Sequence, residues 1–459
     1  MVKGQRRWLG FYGDDFTGST DAMEALTRNG VKTILFLQPP TESMLTDERF
    51  AAFKAIGLAG VSRALSPEKM ENELTHAFDI LKKANVEISH YKICSTFDSS
   101  PELGSIGRAI EVGQKVFGNK RFIPLLVGVP ALHRYTIFSN HFATTENETY
   151  RLDRHPVMSK HPMTPMDESD LTIHLGKQTS MAIKAMNILD LDGPQEKINK
   201  ILATKLNGGH SPIILFDVLD EAMLTNIGVI LSEEISDEPF FTVGSSGIEY
   251  SLAAAWKESG RLEEGDPQWP RLEESGPLMV ISGSCSPVTE KQIQYALNNG
   301  FVGLKASSEG LTNSETRDEV CHHLILKATD HLSKGENVVI YTAMGPSDPS
   351  ITSTKKQLED QGQKATDTSM SLGEQLGKIC KEIMKEISLK RVLIAGGDTS
   401  GYVLKELEIF AMEMVKPITP GAPLCRAHSR SPLFNGMQIN LKGGQMGGED
   451  FFLNVRNLT

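Results

Sequence analysis

The five cysteines of this 459-residue chain (Cys94, Cys285, Cys321, Cys380 and Cys425) lie far apart, are odd in number and include no C-x-x-C pair. This excludes a disulfide scaffold and reads as reduced thiols in a cytoplasmic protein. No apolar run approaches the roughly 20 residues needed to cross a bilayer. Residues 1–7, with Lys3, Arg6 and Arg7, lead into a short strand-like stretch instead of the apolar core of a signal peptide. Positive charge is also short, since 47 Lys and Arg against 58 Asp and Glu give a formal net charge of −11. Nucleic acids and anionic membranes are bound through surplus cations, so neither is an expected partner, and an anionic small molecule must be held by a local cluster of donors. Neither a G-x-x-x-x-G-K-[ST] P-loop nor a G-x-G-x-x-G after a strand occurs, which counts against the commonest NTPase and dinucleotide folds. There is no internal repeat or low-complexity segment. Oligomeric state is not legible, and a homo-oligomer stays among the options.

What is present is the composition of a soluble globular protein, 39% apolar and 23% charged. The length points to two or three domains. Short apolar, β-branched runs alternate with helical patterns throughout, which is the rhythm of an α/β fold with parallel strands. Residues 257–277 are rich in Glu, Gly and Pro with little apolar content and read as a linker. The expected division is a first domain over residues 1–265 and a second over 276–459.

In the first domain, residues 8–13 read as a strand, and Asp14-Asp15-Phe16-Thr17-Gly18 follows before a helical pattern that Asn29-Gly30 can end. The two carboxylates thus stand at the carboxyl end of a strand, where open α/β sheets hold ligands. Two acids with hydroxyls and a glycine suit bonding to a polyol or taking a proton from a hydroxyl; the plainer alternative is that Asp15 or Thr17 caps the helix and Asp14 is solvated. A later strand ends in Lys92-Ile93-Cys94-Ser95-Thr96-Phe97-Asp98. There Lys92 with Ser95, Thr96 and Ser105 could hold a carboxylate, or the segment is a solvated loop with a surface lysine. Between residues 133 and 170 the periodicity fails, and His161-Pro162-Met163-Thr164-Pro165-Met166 fits an ordered loop over a site, with His161 a candidate for substrate contact. His155 and His161 lie six apart across prolines, which is not a helical metal pair, and no metal-binding residues are expected.

In the second domain three strand ends carry small, donor-rich turns. Ser282-Gly283-Ser284-Cys285-Ser286 follows the first strand. Residues 391–395 are a buried strand leading into Gly396-Gly397-Asp398-Thr399-Ser400-Gly401 and a helix, and Lys442-Gly443-Gly444 follows the last strand. A glycine-rich turn at a helix start leaves backbone N–H groups free for an anion at the positive end of the helix dipole. Alone each is a βα turn with a capping hydroxyl; three at one sheet edge could surround a nucleotide.

Taken together and in this order, Asp14-Asp15-Phe16-Thr17-Gly18, His161-Pro162-Met163-Thr164-Pro165-Met166, Ser282-Gly283-Ser284-Cys285-Ser286 with Thr289 and Gln292, Gly396-Gly397-Asp398-Thr399-Ser400-Gly401, and Leu441-Lys442-Gly443-Gly444 through Asp450-Phe451-Phe452 resemble the four-carbon acid sugar kinase family over nearly the whole chain. The resemblance implies two α/β/α domains with a cleft between them, a first domain that binds a small sugar acid and a second that binds ATP with Mg2+. Carried over position by position, Asp14, Asp15 and Lys92 fall on the substrate side and Ser284, Gly396, Gly397, Asp398, Thr399 and Gly443 on the nucleotide side; Thr17, Ser95, Thr96 and His161, and Ser286, Ser400 and Gly444, complete the two candidate sets. Asp15 or Asp14 is the candidate general base, and Asp398 a candidate ligand to the magnesium ion through water. Two positions depart from the family pattern. The loop after the lysine is usually Asp-Ser-Thr-Leu-Arg-Gly, where this chain has Cys94-Ser95-Thr96-Phe97-Asp98-Ser99, and Asp398 stands for the usual Glu. The first departure points to the branch of the family linked to 3-oxo-isoapionate. The rivals are a dinucleotide-dependent oxidoreductase, disfavoured by the missing fingerprint, and a non-catalytic sugar-acid sensor, disfavoured by the intact Asp14-Asp15 and Gly396–Gly401 motifs.

Overall fold

A computed structural model describes residues 6–118, 120–208, 211–263, 265, 267–360, 362 and 367–458. The chain divides into two compact units, Met1–Pro267 and Gln268–Thr459. The division falls within the stretch 257–277 that reads as a linker, although the helix Gly247–Glu258 runs into its start.

Unit 1 contains the strands β1 (Arg7–Gly13), β2 (Thr33–Phe36), β3 (Ala55–Ala59), β4 (Val86–Lys92), β5 (Ile123–Leu126), β6 (Arg134–Ile137), β7 (Asn140–Thr145), β8 (Glu148–Arg151), β9 (Ile183–Met186), β10 (Ile213–Phe216) and β11 (Phe240–Gly244). Eight of these make a parallel sheet in the order β2-β3-β1-β4-β11-β5-β10-β9. Strands such as Ile213–Phe216 are buried at every position, as expected where helices cover both faces of a parallel sheet. The chain starts at β1, fills the β2–β3 side, then crosses to β4. The strand order therefore reverses between β1 and β4, and the carboxyl ends of these two strands flank a topological switch point.

The remaining three strands form an antiparallel meander, β6-β7-β8, within the stretch expected to be irregular. Its strands are four to six residues long and largely polar, so no alternation is visible. Its two-residue turns, Phe138-Ser139 and Glu146-Asn147, all have positive φ without any glycine to announce it. Asp217, just beyond β10, holds the first turn by accepting the N–H of Ser139 at 3.0 Å, and its other oxygen accepts the N–H of Ile188 at 3.3 Å.

Unit 2 contains β12 (Met279–Ser282), β13 (Val302–Lys305), β14 (Val338–Tyr341), β15 (Arg391–Ala395), β16 (Ile409–Thr419), β17 (Ala422–Ser429) and β18 (Gln438–Lys442). The order is β13-β14-β12-β15-β18-β17-β16, with β17 antiparallel to both neighbours and the first five strands parallel. The hairpin of β16 and β17 was not legible as strands in the sequence. Here the order reverses between β12 and β15, so the turns after Ser282 and Ala395 flank the switch point of this unit. The core beneath them includes Val280, Leu393, Ile293 and Phe452, all fully buried, each contributing roughly 1.5–3 kcal/mol of burial.

Candidate functional site

At the switch point of unit 1, Asp14 follows β1 and is buried, while Asp15 begins the helix Phe16–Arg28 as its N-cap, with Oδ1 accepting the N–H of Gly18 at 2.6 Å. The cap and the acid pair coexist because a third residue binds both. Arg63, in the loop after β3, donates from Nε to Asp14 Oδ2 at 3.0 Å, from a terminal nitrogen to Asp14 Oδ1 at 2.6 Å, and from the other to Asp15 Oδ2 at 2.7 Å. A two-pronged guanidinium–carboxylate contact of this kind fixes both planes. Burial pushes the Asp14 carboxyl above its ordinary value, against the pull of Arg63 and Lys92. Burial also works against the Arg63 charge, but Asp14 and Asp15 outweigh it and hold the guanidinium protonated.

Lys92, the last residue of β4, is buried; its ammonium lies 3.1 Å from Asp21 Oδ2 and donates to the carbonyl of Ile93 at 3.0 Å. Burial opposes its charge, yet Asp21, Glu249 and Asp14 keep its pKa above the usual lysine value. A Cβ on Gly18 would meet Asp15 Oδ1 at 2.8 Å, Lys92 Nζ at 3.5 Å and Asp14 Oδ1 at 3.6 Å, so this glycine marks where the three groups converge. Arg63 and Asp21 were not singled out by sequence reasoning. The available signal was an arginine shortly beyond the carboxyl end of the third strand.

The loop after Lys92 is internally bonded. Thr96 donates to Asp98 Oδ1 at 2.8 Å and lies 2.9 Å from Cys94 Sγ, and the carbonyl of Ser95 accepts from His141 Nε2 at 2.8 Å. Burial pushes the Cys94 thiol up to about 12 and His141 down to about 4, so both are neutral. Phe97 is fully buried against the His174 ring and takes a positive φ of 59°. Ser105 caps the helix Ile106–Phe117 by accepting the N–H of Arg108 at 3.1 Å and donates to Gln178 Oε1 at 3.4 Å. Thr17 is exposed in the first turn of its helix. His161 Nδ1 accepts from the N–H and the hydroxyl of Thr164, at 3.2 and 3.0 Å, which makes it the organiser of its own turn.

At the switch point of unit 2 a cavity of about 340 Å3 is lined by Gly283, Ser284, Cys285, Ser308, Thr342, Ala343, Ser350, Ile351, Thr354, Ser369, Leu372, Gly396, Gly397, Asp398, Thr399 and Gly444. The three turns expected to converge do line one cavity, joined by the turn after β14. Gly396 has a φ of 123° and is the N-cap of the helix Gly397–Glu406, whose first N–H groups have no carbonyl one turn earlier to bond. A Cβ on Gly283 would stand 2.1 Å from Thr399 Oγ1, so the approach of these two turns requires glycine.

Beneath the lining, Ser284 Oγ lies 3.0 Å from Thr289 Oγ1, which donates to the carbonyl of Gly444 at 3.1 Å, and Ser286 Oγ also reaches that carbonyl. Ser286 caps the helix Pro287–Asn298. Gln292 donates to the carbonyls of Met446, Gly447 and Gly448. Ser286, Ser400 and Gly443 support the cavity without lining it, Ser400 by donating to the carbonyl of Gly396 at 2.8 Å. Asp398 is the one charged side chain of the lining among the described residues and is exposed. Among the described residues no group of three or more His, Cys, Asp or Glu could hold a metal ion. No helix among them is long and apolar enough to cross a membrane.

Two family models match the chain, a sugar-binding N-terminal domain over residues 9–252 and a nucleotide-binding C-terminal domain over residues 279–452. The 3-oxo-isoapionate kinase of Paraburkholderia graminis is 41% identical over 454 residues, covering 98% of this chain and 94% of that protein. The 3-oxo-tetronate kinase of Pectobacterium atrosepticum is 26% identical over 449 residues, covering 97% of both. Among solved structures, a Salmonella typhimurium LT2 protein matches with a TM-score of 0.80 at 23% identity over 98% of each chain. Haemophilus influenzae protein HI1011 matches with a TM-score of 0.78 at 22% identity over 98% of this chain and 99% of that one; both share the fold. With a sugar-binding and a nucleotide-binding model each lying over one structural unit, and a relative this similar over nearly its full length, the chain belongs to the four-carbon acid sugar kinase family and is a sugar-acid kinase.

Proposed function

We propose that this kinase uses ATP with Mg2+ to phosphorylate a hydroxyl of 3-oxo-isoapionate, a branched sugar acid, with 3-oxo-tetronate, threonate or erythronate as the alternative acceptors. The observation that carries the nucleotide assignment is the cavity of unit 2, where glycine and serine turns from four strand ends meet a helix N-terminus. The residues fit the group. Small side chains leave room for phosphates beside backbone N–H groups, and the two glycines at 283 and 396 sit where a Cβ would crowd Thr399 or Ser284. Ser284, Gly396, Gly397, Asp398, Thr399 and Gly444 hold the nucleotide, with Gly443, Ser286 and Ser400 supporting them. A magnesium ion bound with the nucleotide would supply charge neutralisation at the phosphates. Asp398, the one acid of the lining among the described residues, is the residue that would hold such an ion, through water.

Asp14, Asp15, Lys92 and Arg63 bind the acid in unit 1. Asp15 is the proton acceptor of choice, because its carboxylate is about one-third exposed whereas that of Asp14 is buried. Support for the branched acceptor comes from the 41% identical relative and from the unusual loop, where Asp98, held by Thr96, supplies an acid next to Cys94.

The test is a comparison of kcat/KM for 3-oxo-isoapionate, 3-oxo-tetronate, threonate and erythronate by ADP release. The branched acid is expected to be highest. A linear acid ahead by more than about tenfold, or about 1.4 kcal/mol of transition-state binding, overturns the acceptor assignment and leaves the kinase.

A further inference from the structure

The cavity of unit 2 is short of positive charge. Among the described residues none that lines it is Lys or Arg, and the one charged side chain there, Asp398, is negative. A triphosphate carries several negative charges, and backbone N–H groups with a helix dipole offset only part of them. One cation lies directly behind the lining. Lys442, the last residue of β18, is 1% exposed, and among the described residues its ammonium has a single hydrogen-bond partner, Thr289 Oγ1, at 3.1 Å. A buried ammonium with three donors and one acceptor is under-satisfied, and burial alone pushes Lys442 down to about 8. Thr289 is in turn 3.0 Å from Ser284 Oγ, which lines the cavity, and donates to the carbonyl of Gly444, which also lines it.

We infer that Lys442 is a positioning residue for the nucleotide phosphates: a buried positive charge that acts through the hydroxyls of Thr289 and Ser284 and is compensated only when the polyphosphate arrives. By accepting from Lys442, Thr289 keeps its single proton to donate; turned from the Gly444 carbonyl, which Ser286 Oγ also reaches, to Ser284 Oγ, that proton frees the Ser284 hydroxyl to donate into the cavity. The charge beneath the turns then favours ligands in proportion to their phosphate charge. This inference rests on the assignment of the cavity to a nucleotide.

The experiment uses the full-length protein and compares adenosine, ADP and ATP with Mg2+ by calorimetry, in the wild type, K442M, K442R and T289V, each checked for native near-UV circular dichroism. K442M is expected to bind ATP about 10- to 100-fold more weakly, the range for losing a charged hydrogen-bonding group, ADP less so, and adenosine within about twofold of wild type. K442R retains part of the ATP affinity, and T289V repeats the graded loss with the lysine still in place. T289V decides the matter if K442M does not fold. Equal weakening of all three ligands makes the role merely structural and overturns the inference, as does unchanged ATP binding in a folded variant. If the wild type itself binds neither ADP nor ATP, the nucleotide assignment falls first, and that outcome is distinct from both.

Discussion

Asp15 does two jobs in one geometry: one carboxylate oxygen caps a helix and the other pairs with Arg63. The sequence reads Asp15 as a base or as a cap, and the structure shows the cap, which leaves the second oxygen for another partner. A cap uses one oxygen, and Arg63, forty-eight positions further along, engages the other. The pair Asp14-Asp15 at a strand end was legible because carboxylates next to a βα turn are rarely neutral with respect to function. Arg63 was not, because its importance arises only when β3 is placed beside β1. The same holds for Ser105, a plausible donor by spacing whose oxygen caps its own helix and whose hydroxyl donates to Gln178. At this scale the expected behaviour of Asp15→Asn is a folded protein that binds acceptor and ATP but turns over about 10²- to 10⁴-fold more slowly, the usual effect of removing a general base. Steady-state rates together with acceptor binding measure this. Near-wild-type kcat would move the base to Asp14 or Asp398.

Elements whose period is strong were legible, and those whose identity depends on turns were not. Parallel strands such as β12 and β15 stand out as unbroken apolar runs between small turns, so their switch point could be anticipated from the glycines alone. The β6-β7-β8 meander hid because its turns take positive φ at Phe138, Ser139, Glu146 and Asn147, residues that do not announce it. Two predictions belong here. Gly283→Ala forces a methyl to within 2.1 Å of Thr399 Oγ1; overpacking of this kind costs about 1–3 kcal/mol. A loss of nucleotide affinity of at least about tenfold is expected in calorimetry, relieved in part in the double variant with Thr399→Ala, which removes the clashing hydroxyl. No loss in the single variant would mean that the two turns are not held as described.

The second concerns Asp217, which pins the first meander turn. Burial raises its pKa from 3.8 to about 6, against the pull of the N–H groups of Ser139, Phe138 and Ile188. A carboxyl whose folded pKa lies above its unfolded value binds its proton more tightly in the folded state. Its contribution is therefore complete below about pH 4 and is lost as pH rises through about 6. Asp217→Asn cannot titrate, so the stability of the variant relative to wild type should improve by about 2–3 kcal/mol between pH 3.5 and 7 in urea unfolding. A difference that stays constant across this window would contradict the burial effect.

For the molecule as a whole, the two family models fall on the two compact units, and each unit carries its polar cluster or cavity at the point where its own strand order reverses. This explains why the general nature of the protein was readable from motif order while its acceptor was not. The cavity of unit 2 is lined largely by glycine, serine and other small residues, which leave a recognisable pattern in sequence. The charged cluster of unit 1 is a network drawn from distant strands, and in the loop beside it Phe97 proves to be core and Asp98 is held by its neighbour Thr96. The central claim is transfer of a phosphoryl group from ATP to a sugar acid. It is tested most directly by phosphorus NMR of the protein with MgATP and 3-oxo-isoapionate. The account predicts loss of the γ-phosphate signal, matched one for one by ADP and a single new phosphomonoester that requires the acid. Release of inorganic phosphate in place of the ester, or no consumption of ATP with this acid or with 3-oxo-tetronate, threonate and erythronate, would contradict it.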